Sequence, residues 1–226
     1  RQRQMCIRDS PLYRTHIPVN NIPWDEINDD IEQRATPLKE IDNGFSTIDS
    51  KLRRDLEPWA ETYRQAQLEV VRLFMPYAKN YVYPTWLQGN WINKTMPGGI
   101  LKIHDHYPCD IATCWYLDIP ANSGNFVLIY NDVEYEVPVS SGDFLAFPAT
   151  LLHRTQHNNS SKPRFIMGGN IVWHETLKND LLKKMSQEKT NEFVDKLYRQ
   201  RQVELFETMK AWFKEHNEKN ITQLLN

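Results

Sequence analysis

The sequence predicts a mainly β domain of jelly-roll type, flanked by helices on both sides. Three observations carry this. The apolar period changes from helical to alternating near Tyr81. From there to Trp173 the chain is a train of short β-rich runs cut by Gly, Pro and Asn turns. After Thr176 the helical period returns. Residues 84–174 are the predicted jelly-roll core, 11–83 an N-terminal arm and helix, and 175–226 C-terminal helices, together one domain.

The opening stretch RQRQMCIRDS resembles translated read-through of a sequencing adapter, so residues 1–10 are expected to be a non-native or disordered tail. Over 11–55, turn formers at Pro11, Pro18, Asn20–Pro23 and Asn43–Gly44 predict an irregular arm with a short strand near Tyr13–Val19. The spacing of Trp59, Tyr63, Ala66, Val70, Leu73, Phe74 and Tyr77 predicts a helix over 57–78, with Pro58 in its first turn. From Trp86 to Trp91 the residues alternate as in a strand. Further strands follow at Ile100–His104, Ile111–Leu117, Asn125–Tyr130, Val133–Val139, Asp143–Phe147 and Arg164–Trp173. Thr176 and Thr190 are candidate N-caps for two C-terminal helices. On the second, Val194, Leu197, Tyr198, Leu205, Met209, Trp212 and Phe213 form a stripe that either packs on the barrel or pairs with a second copy as a homodimer.

Bulk properties exclude several classes. A net charge of −2 offers nothing to a polyanion, so nucleic acid is not an expected partner. No apolar run reaches the roughly 20 residues of a membrane span, and no secretion-signal core is present, so a cytoplasmic location is expected. Three cysteines without a CxxC pair argue against a disulfide framework or a thiolate zinc site. Cys109 and Cys114 are expected as small apolar fillers.

Of seven histidines, three stand out. His104 and His106 stand two apart in a strand-like segment, so both leave one face. His153 follows 47 residues later, beyond the Gly142–Phe147 run and the bend at Pro148. A jelly roll brings strands so separated side by side, which makes the three a candidate facial ligand set for iron, zinc, copper or nickel. Arg164 opens an apolar strand, and a guanidinium inside a barrel is costly unless it meets a carboxylate, whose shape its planar fork matches.

Read in order, these pieces resemble the short 2-oxoglutarate/iron(II)-dependent oxygenases of the prolyl-hydroxylase type. The matching stretches are Trp91-Ile92-Asn93, His104-Asp105-His106, Trp115-Tyr116-Leu117 and Pro120 to Gly124. They continue with Gly142 to Pro148, Leu151-Leu152-His153, and Arg164 through Asn170, about 80 of the 226 residues. The sequence departs from that pattern at Tyr107, which precedes Pro108, and at Ala112-Thr113. The wider superfamily has a His-x-Asp pair where this chain has His106 in the carboxylate's place. The resemblance implies a double-stranded β-helix, iron(II) as cofactor and 2-oxoglutarate as co-substrate. It implies hydroxylation of a C–H bond of a small-molecule or peptide substrate, with release of succinate and carbon dioxide. His104, His106 and His153 would hold the metal, with Asp105 or Asp110 as alternative ligands; Arg164, Asn93 and Asn170 would hold 2-oxoglutarate. Trp86, Trp91, Trp115 and Tyr116 are expected in the core or at the barrel opening. Loops 94–99 and 154–163 are expected to shape substrate choice. Two other readings remain open: a cupin-like three-histidine metal enzyme that does not use 2-oxoglutarate, and a non-catalytic jelly-roll binding module.

Overall fold

A computed structural model describes residues 11–48, 60–75, 86–172 and 182–224. Its strands are β1 (Tyr13–His16), β2 (Ile41–Ser46), β3 (Trp86–Leu101), β4 (Ile111–Asp118), β5 (Phe126–Tyr130), β6 (Val133–Val137), β7 (Asp143–Pro148), β8 (Leu152–Thr155) and β9 (Arg164–Val172). Its helices are α1 (Trp24–Arg34), α2 (Ala60–Phe74) and α3 (Gln187–Leu224).

The strands form two sheets, β1-β7-β4-β9-β3-β2 and β6-β5-β8, antiparallel throughout. One strand serves both. Up to Thr95, β3 pairs with β9. Pro97 has no N–H to give a ladder, and Gly98 takes φ +79°, so the chain turns there. It then runs beside β8: Gly98 and Gly99 bond Asn158, Leu101 N–H donates to Thr155 Oγ1 at 3.0 Å, and His104 bridges His153. The core is thus four strands facing four, β3(N-terminal half)-β9-β4-β7 against β3(C-terminal half)-β8-β5-β6, a double-stranded β-helix.

The larger sheet is covered on both faces, which explains why β7 is buried at every position and β4 at all but Cys114 and Asp118. One face, with Trp115, Phe144, Met167 and Ile171, packs under α1, α2 and α3 against Ile27, Tyr63, Val70, Phe74, Leu205 and Met209. The other, with Ala112, Tyr116, Leu145, Phe147 and Ile166, faces Phe126, Leu128 and Val137 across the barrel. Each fully buried large side chain contributes about 1.5–3 kcal/mol. The helix-side layer also holds a polar knot. Thr113 Oγ1 lies 2.8 Å from Tyr63 Oη, accepts from Gln67 Nε2 at 2.9 Å, and donates to the Gly169 carbonyl at 2.9 Å.

Predicted strands 111–117, 125–130, 133–139 and 143–147 match β4 to β7 within two residues, and 164–173 matches β9. The predicted strand at 13–19 is β1, but the arm is more regular than expected. It carries α1, whose Ile27 and Ile31 are buried, and β2, in which Asn43 at φ 51° forms a bulge rather than a reversal. Thr190 does not cap the last helix. Ser186 does, its Oγ accepting from Lys189 N–H at 3.4 Å, because Gln187, Glu188 and Lys189 are good helix formers and the helix starts a turn earlier. The stripe on α3 covers the barrel and α2. The 1–10 tail, the ends of the 57–78 helix, Trp173, Thr176 and the side chains of Trp86 and Phe213 lie outside the described residues. No helix among the described residues is long and apolar enough to cross a membrane.

Candidate metal centre

The ligand-capable nitrogens of His104, His106 and His153 all lie within 4.8 Å of one another. His104 and His153 stand opposite each other, each backbone N–H donating to the other's carbonyl at 3.0 Å. Both rings turn Nδ1 back onto their own chain. His104 Nδ1–H donates to the Lys102 carbonyl at 2.8 Å, and His153 Nδ1–H to the Leu151 carbonyl at 2.9 Å. A carbonyl only accepts, so Nδ1 carries the proton and Nε2 keeps a lone pair.

His106 arrives differently from the expected strand. Its N–H donates to the Ala149 carbonyl at 2.9 Å and its carbonyl accepts from Cys109 N–H at 2.7 Å, so the chain is already turning there. Its ring nonetheless stacks parallel to His153, the planes 9° apart and the two Nε2 atoms separated by 3.3 Å. Two lone pairs at that distance repel; a proton or a cation between them removes the conflict.

His153 is 2% exposed, while His104 and His106 are half-buried. Burial pushes the His153 pKa well down, helped by the two neighbouring rings. Burial and then the His104 charge bring His106 down to about 4, opposed by Asn170 beside it. Burial also lowers His104, against the pull of the Lys102 carbonyl, Glu40 and Asp105. All three rings are therefore neutral near pH 7, as metal ligands must be.

The rings open on a cavity of about 350 Å³. Trp91 and Asn93 of β3, Cys114 and Tyr116 of β4, and Ile166 and Gly168 of β9 form one wall; Phe126 and Thr155 stand opposite, and Leu38, Glu40 and Ile48 come from the arm. Trp91 stacks on His106 at 5.9 Å and 22°. Gly168 makes room for it: a Cβ there would lie 2.7 Å from the indole. Burial pushes the Cys114 thiol up to about 12, which keeps it protonated and unreactive.

Arg164, 1% exposed, does not itself line the cavity but bonds Thr155, which does. Its guanidinium donates to the Ser123 carbonyl, to the Gln156 carbonyl at 3.3 Å and to Thr155 Oγ1 at 2.7 Å, while Nε has no partner. No carboxylate among the described residues pairs with it. Desolvation brings its pKa down to about 10. Thr155 Oγ1 accepts from both Arg164 and Leu101, which leaves its own proton free to donate into the cavity. Tyr116, held protonated by burial, faces the same space. Asn93 and Asn170 each bury a side-chain oxygen without a partner.

Neither alternative ligand joins the three rings. Asp105 is exposed and accepts from Tyr107 N–H at 3.2 Å. Asp110, 1% exposed, is turned away to Arg201 of α3, a cation that offsets its burial. Trp115 is core, its Nε1–H donating to the Ile17 carbonyl at 3.2 Å. Of the two expected loops, 94–99 is not a loop but lies within β3, because β2 and β9 pair with it, and 154–163 begins with the last two residues of β8. The two segments are stitched together through Asn158, whose Nδ2 donates to the carbonyls of Thr95 at 3.0 Å and Lys162 at 2.8 Å. Sequence reasoning missed Thr155 and the arm's contribution. The period-two count from His153 on β8 finds the first; nothing in the arm's pattern signals the second.

No family model and no curated protein matches the sequence. Solved structures do match in fold. A prolyl-4-hydroxylase from Pseudomonas putida aligns with TM-score 0.54 at 15% identity, over 74% of this chain and 95% of that one. A Trichoplax adhaerens prolyl hydroxylase, solved with a hypoxia inducible factor oxygen degradation domain peptide fragment, aligns at 0.55 and 10%, over 75% and 86%. HygX from Streptomyces hygroscopicus, solved with nickel and 2-oxoglutarate, aligns at 0.52 and 12%, over 75% and 85%. The double-stranded β-helix of this chain is the fold of 2-oxoglutarate/iron(II) oxygenases.

Proposed function

We propose that the chain is an iron(II)- and 2-oxoglutarate-dependent oxygenase that hydroxylates a C–H bond of a small-molecule or peptide substrate, releasing succinate and carbon dioxide. One observation carries the reading: three imidazole nitrogens converge on the lining of a cavity, and a buried guanidinium, paired with no carboxylate among the described residues, bonds Thr155 of the same lining. The residues fit both groups. Neutral imidazoles with unprotonated Nε2 suit iron(II), and three on one side leave positions for a chelating oxo acid and dioxygen. His153 and Thr155 stand two residues apart on β8, roughly 6–7 Å along a strand. That spacing is comparable to an extended five-carbon diacid.

In this reading His104, His106 and His153 hold the ion, which with 2-oxoglutarate supplies dioxygen activation. The chain's own work is positioning. The Lys102 and Leu151 carbonyls fix two rings in the ligating tautomer. Arg164 presents its fork to the distal carboxylate, with Thr155 and Tyr116 as hydroxyl donors beside it. Asn93 and Asn170 place amides near the oxo-acid end. Trp91, Phe126 and Ile166 exclude water. The buried guanidinium favours this over a three-histidine enzyme that does not use 2-oxoglutarate, which has no need of it.

Iron(II) and 2-oxoglutarate added anaerobically to the metal-free protein should raise a weak visible charge-transfer band, and His153→Ala should abolish it. A spectrum that stays silent at saturating cofactor overturns the proposal.

A further inference from the structure

The loop that carries His106 and the turn that leads into His153 are joined to each other and to one helix. His106 N–H donates to the Ala149 carbonyl at 2.9 Å, and Ala149 N–H donates back to the Asp110 carbonyl at 3.0 Å. Onto this pair of loops α3 places Gln202, 7% exposed, with both ends of its amide engaged. Its Nε2 donates to the Asp110 carbonyl at 3.1 Å, and its Oε1 accepts from Thr150 Oγ1 at 3.1 Å. Arg201 pairs beside it with the Asp110 carboxylate. About two helical turns earlier, Asp195 accepts from the hydroxyl of Tyr107, the residue after His106, at 3.2 Å.

We propose that Gln202 is a positioning residue for the metal centre: its amide fixes the separation of the two loops and thereby brings His106 and His153 onto the same ion. His104 and His153 are bridged to each other, and β8 ladders His153 to Leu128 of β5, so His106 is the ligand whose place depends on the helix. The site needs this. His106 lies in a turn rather than a strand, and its ring meets the Asn170 side chain instead of a backbone carbonyl of the kind that fixes the other two. A facial ligand set tolerates only small displacements before one ligand drops out. Gln202 suits the task because an amide donates and accepts at once, tying two backbones without bringing a buried charge. Arg201 and Asp110 supply the electrostatic anchor; Gln202 sets the gauge.

The inference rests on the metal reading of the three histidines, and the test separates the two. Gln202→Met keeps volume and helix propensity but removes both hydrogen bonds. Cobalt(II), titrated into metal-free protein and followed by calorimetry and its visible spectrum, should bind about tenfold more weakly to this variant. The spectrum should change toward fewer nitrogen ligands. Leu197→Ala, on the same helix but packed on the helix-side core, is the control. It should lower the melting temperature at least as much while leaving cobalt affinity and spectrum unchanged. Equal cobalt binding by wild type and Gln202→Met overturns the inference, as does an equal loss in both variants, which would make the effect one of general helix stability. A wild-type chain that takes up no cobalt refutes the metal reading and this inference with it. Should Gln202→Met fail to fold, Thr150→Val removes the Oε1 contact alone and carries the same expectation at a smaller size.

Discussion

Replacing Arg164 by methionine should separate what this residue does for the fold from what it does for a ligand. The guanidinium is 1% exposed, and its pKa is depressed from 12.5 to about 10 by desolvation. At about 1.4 kcal/mol per tenfold in acidity, holding that charge in place costs on the order of 3 kcal/mol. Its bonds to the Ser123 carbonyl and Thr155 Oγ1 return about 1 kcal/mol each. Methionine, similar in length and uncharged, gives up both terms, so Arg164→Met should leave the ligand-free protein within about 1–2 kcal/mol of wild type, a few degrees in melting temperature. Binding should suffer far more. Losing a charge-assisted pair to a buried carboxylate costs about 1.5–3 kcal/mol, which is roughly 10- to 150-fold in the dissociation constant of 2-oxoglutarate. The assay is a titration of 2-oxoglutarate into the iron(II)-loaded protein, with melting curves of the ligand-free protein and a metal titration alongside. The reasoning is refuted if 2-oxoglutarate affinity changes less than threefold. It is refuted equally if metal and 2-oxoglutarate binding are lost together with a large drop in melting temperature, for then Arg164 is a structural residue.

Other consequences follow from single contacts. Gly168→Ala should displace the Trp91 indole, costing about 1–3 kcal/mol by overpacking and weakening metal binding through the Trp91–His106 stack, read by melting and cobalt titration. Thr113→Val should destabilise by about 1–3 kcal/mol in urea unfolding, because it leaves the Gln67 amide without its acceptor; a neutral result would mean the polar knot is not contributing. Acidification should destabilise the metal-free protein. His106, at about 4 when folded and 6.5 when unfolded, binds its proton in the unfolded state first, so stability falls as pH drops from about 6.5 toward 4. His153 and His104 shift in the same direction and act alike. Saturating cobalt should suppress this acid sensitivity over the upper part of that window, and melting curves across pH check both statements.

The barrel was legible because its physics is local. The near-continuous apolar runs at Ile111–Asp118 and Phe126–Tyr130, and the turns at Asn131-Asp132 and Ser141-Gly142, are consequences of buried strands and of φ > 0 positions such as Asn131 and Gly142. The three histidines were legible for a related reason: a spacing of two and a return after a hairpin are what the jelly roll converts into proximity. What stayed hidden depends on tertiary context. Trp24, Ile27 and Ile31 make too short an apolar stripe in an Asp- and Asn-rich stretch to signal α1, which is helical because the sheet behind it needs covering. Asn43-Gly44 reads as a turn and is a bulge, since β3 offers it a partner on the far side. Asp110 was an acceptable ligand on composition alone. Only the arrival of Arg201 from 91 residues away removes it from contention. Leu38, Glu40 and Ile48 reach the cavity through the path of the arm, which no periodicity records.

The passage of β3 from one sheet to the other has a mechanical corollary. Trp91 and Asn93 on one wall and Leu101 on the other are joined by the continuous backbone of 91–101, pinned by ladders to β9 and β2 and by hydrogen bonds to Asn158 and Thr155. That segment acts as a strut. The chamber cannot widen there by letting two layers drift apart, as a sandwich held only by side-chain contacts could, without breaking main-chain hydrogen bonds. The arm that borders the chamber is tied to the same strut, because β2 ladders onto β3, so accommodation of larger guests falls to the side chains of Leu38, Glu40 and Ile48 that flank β2.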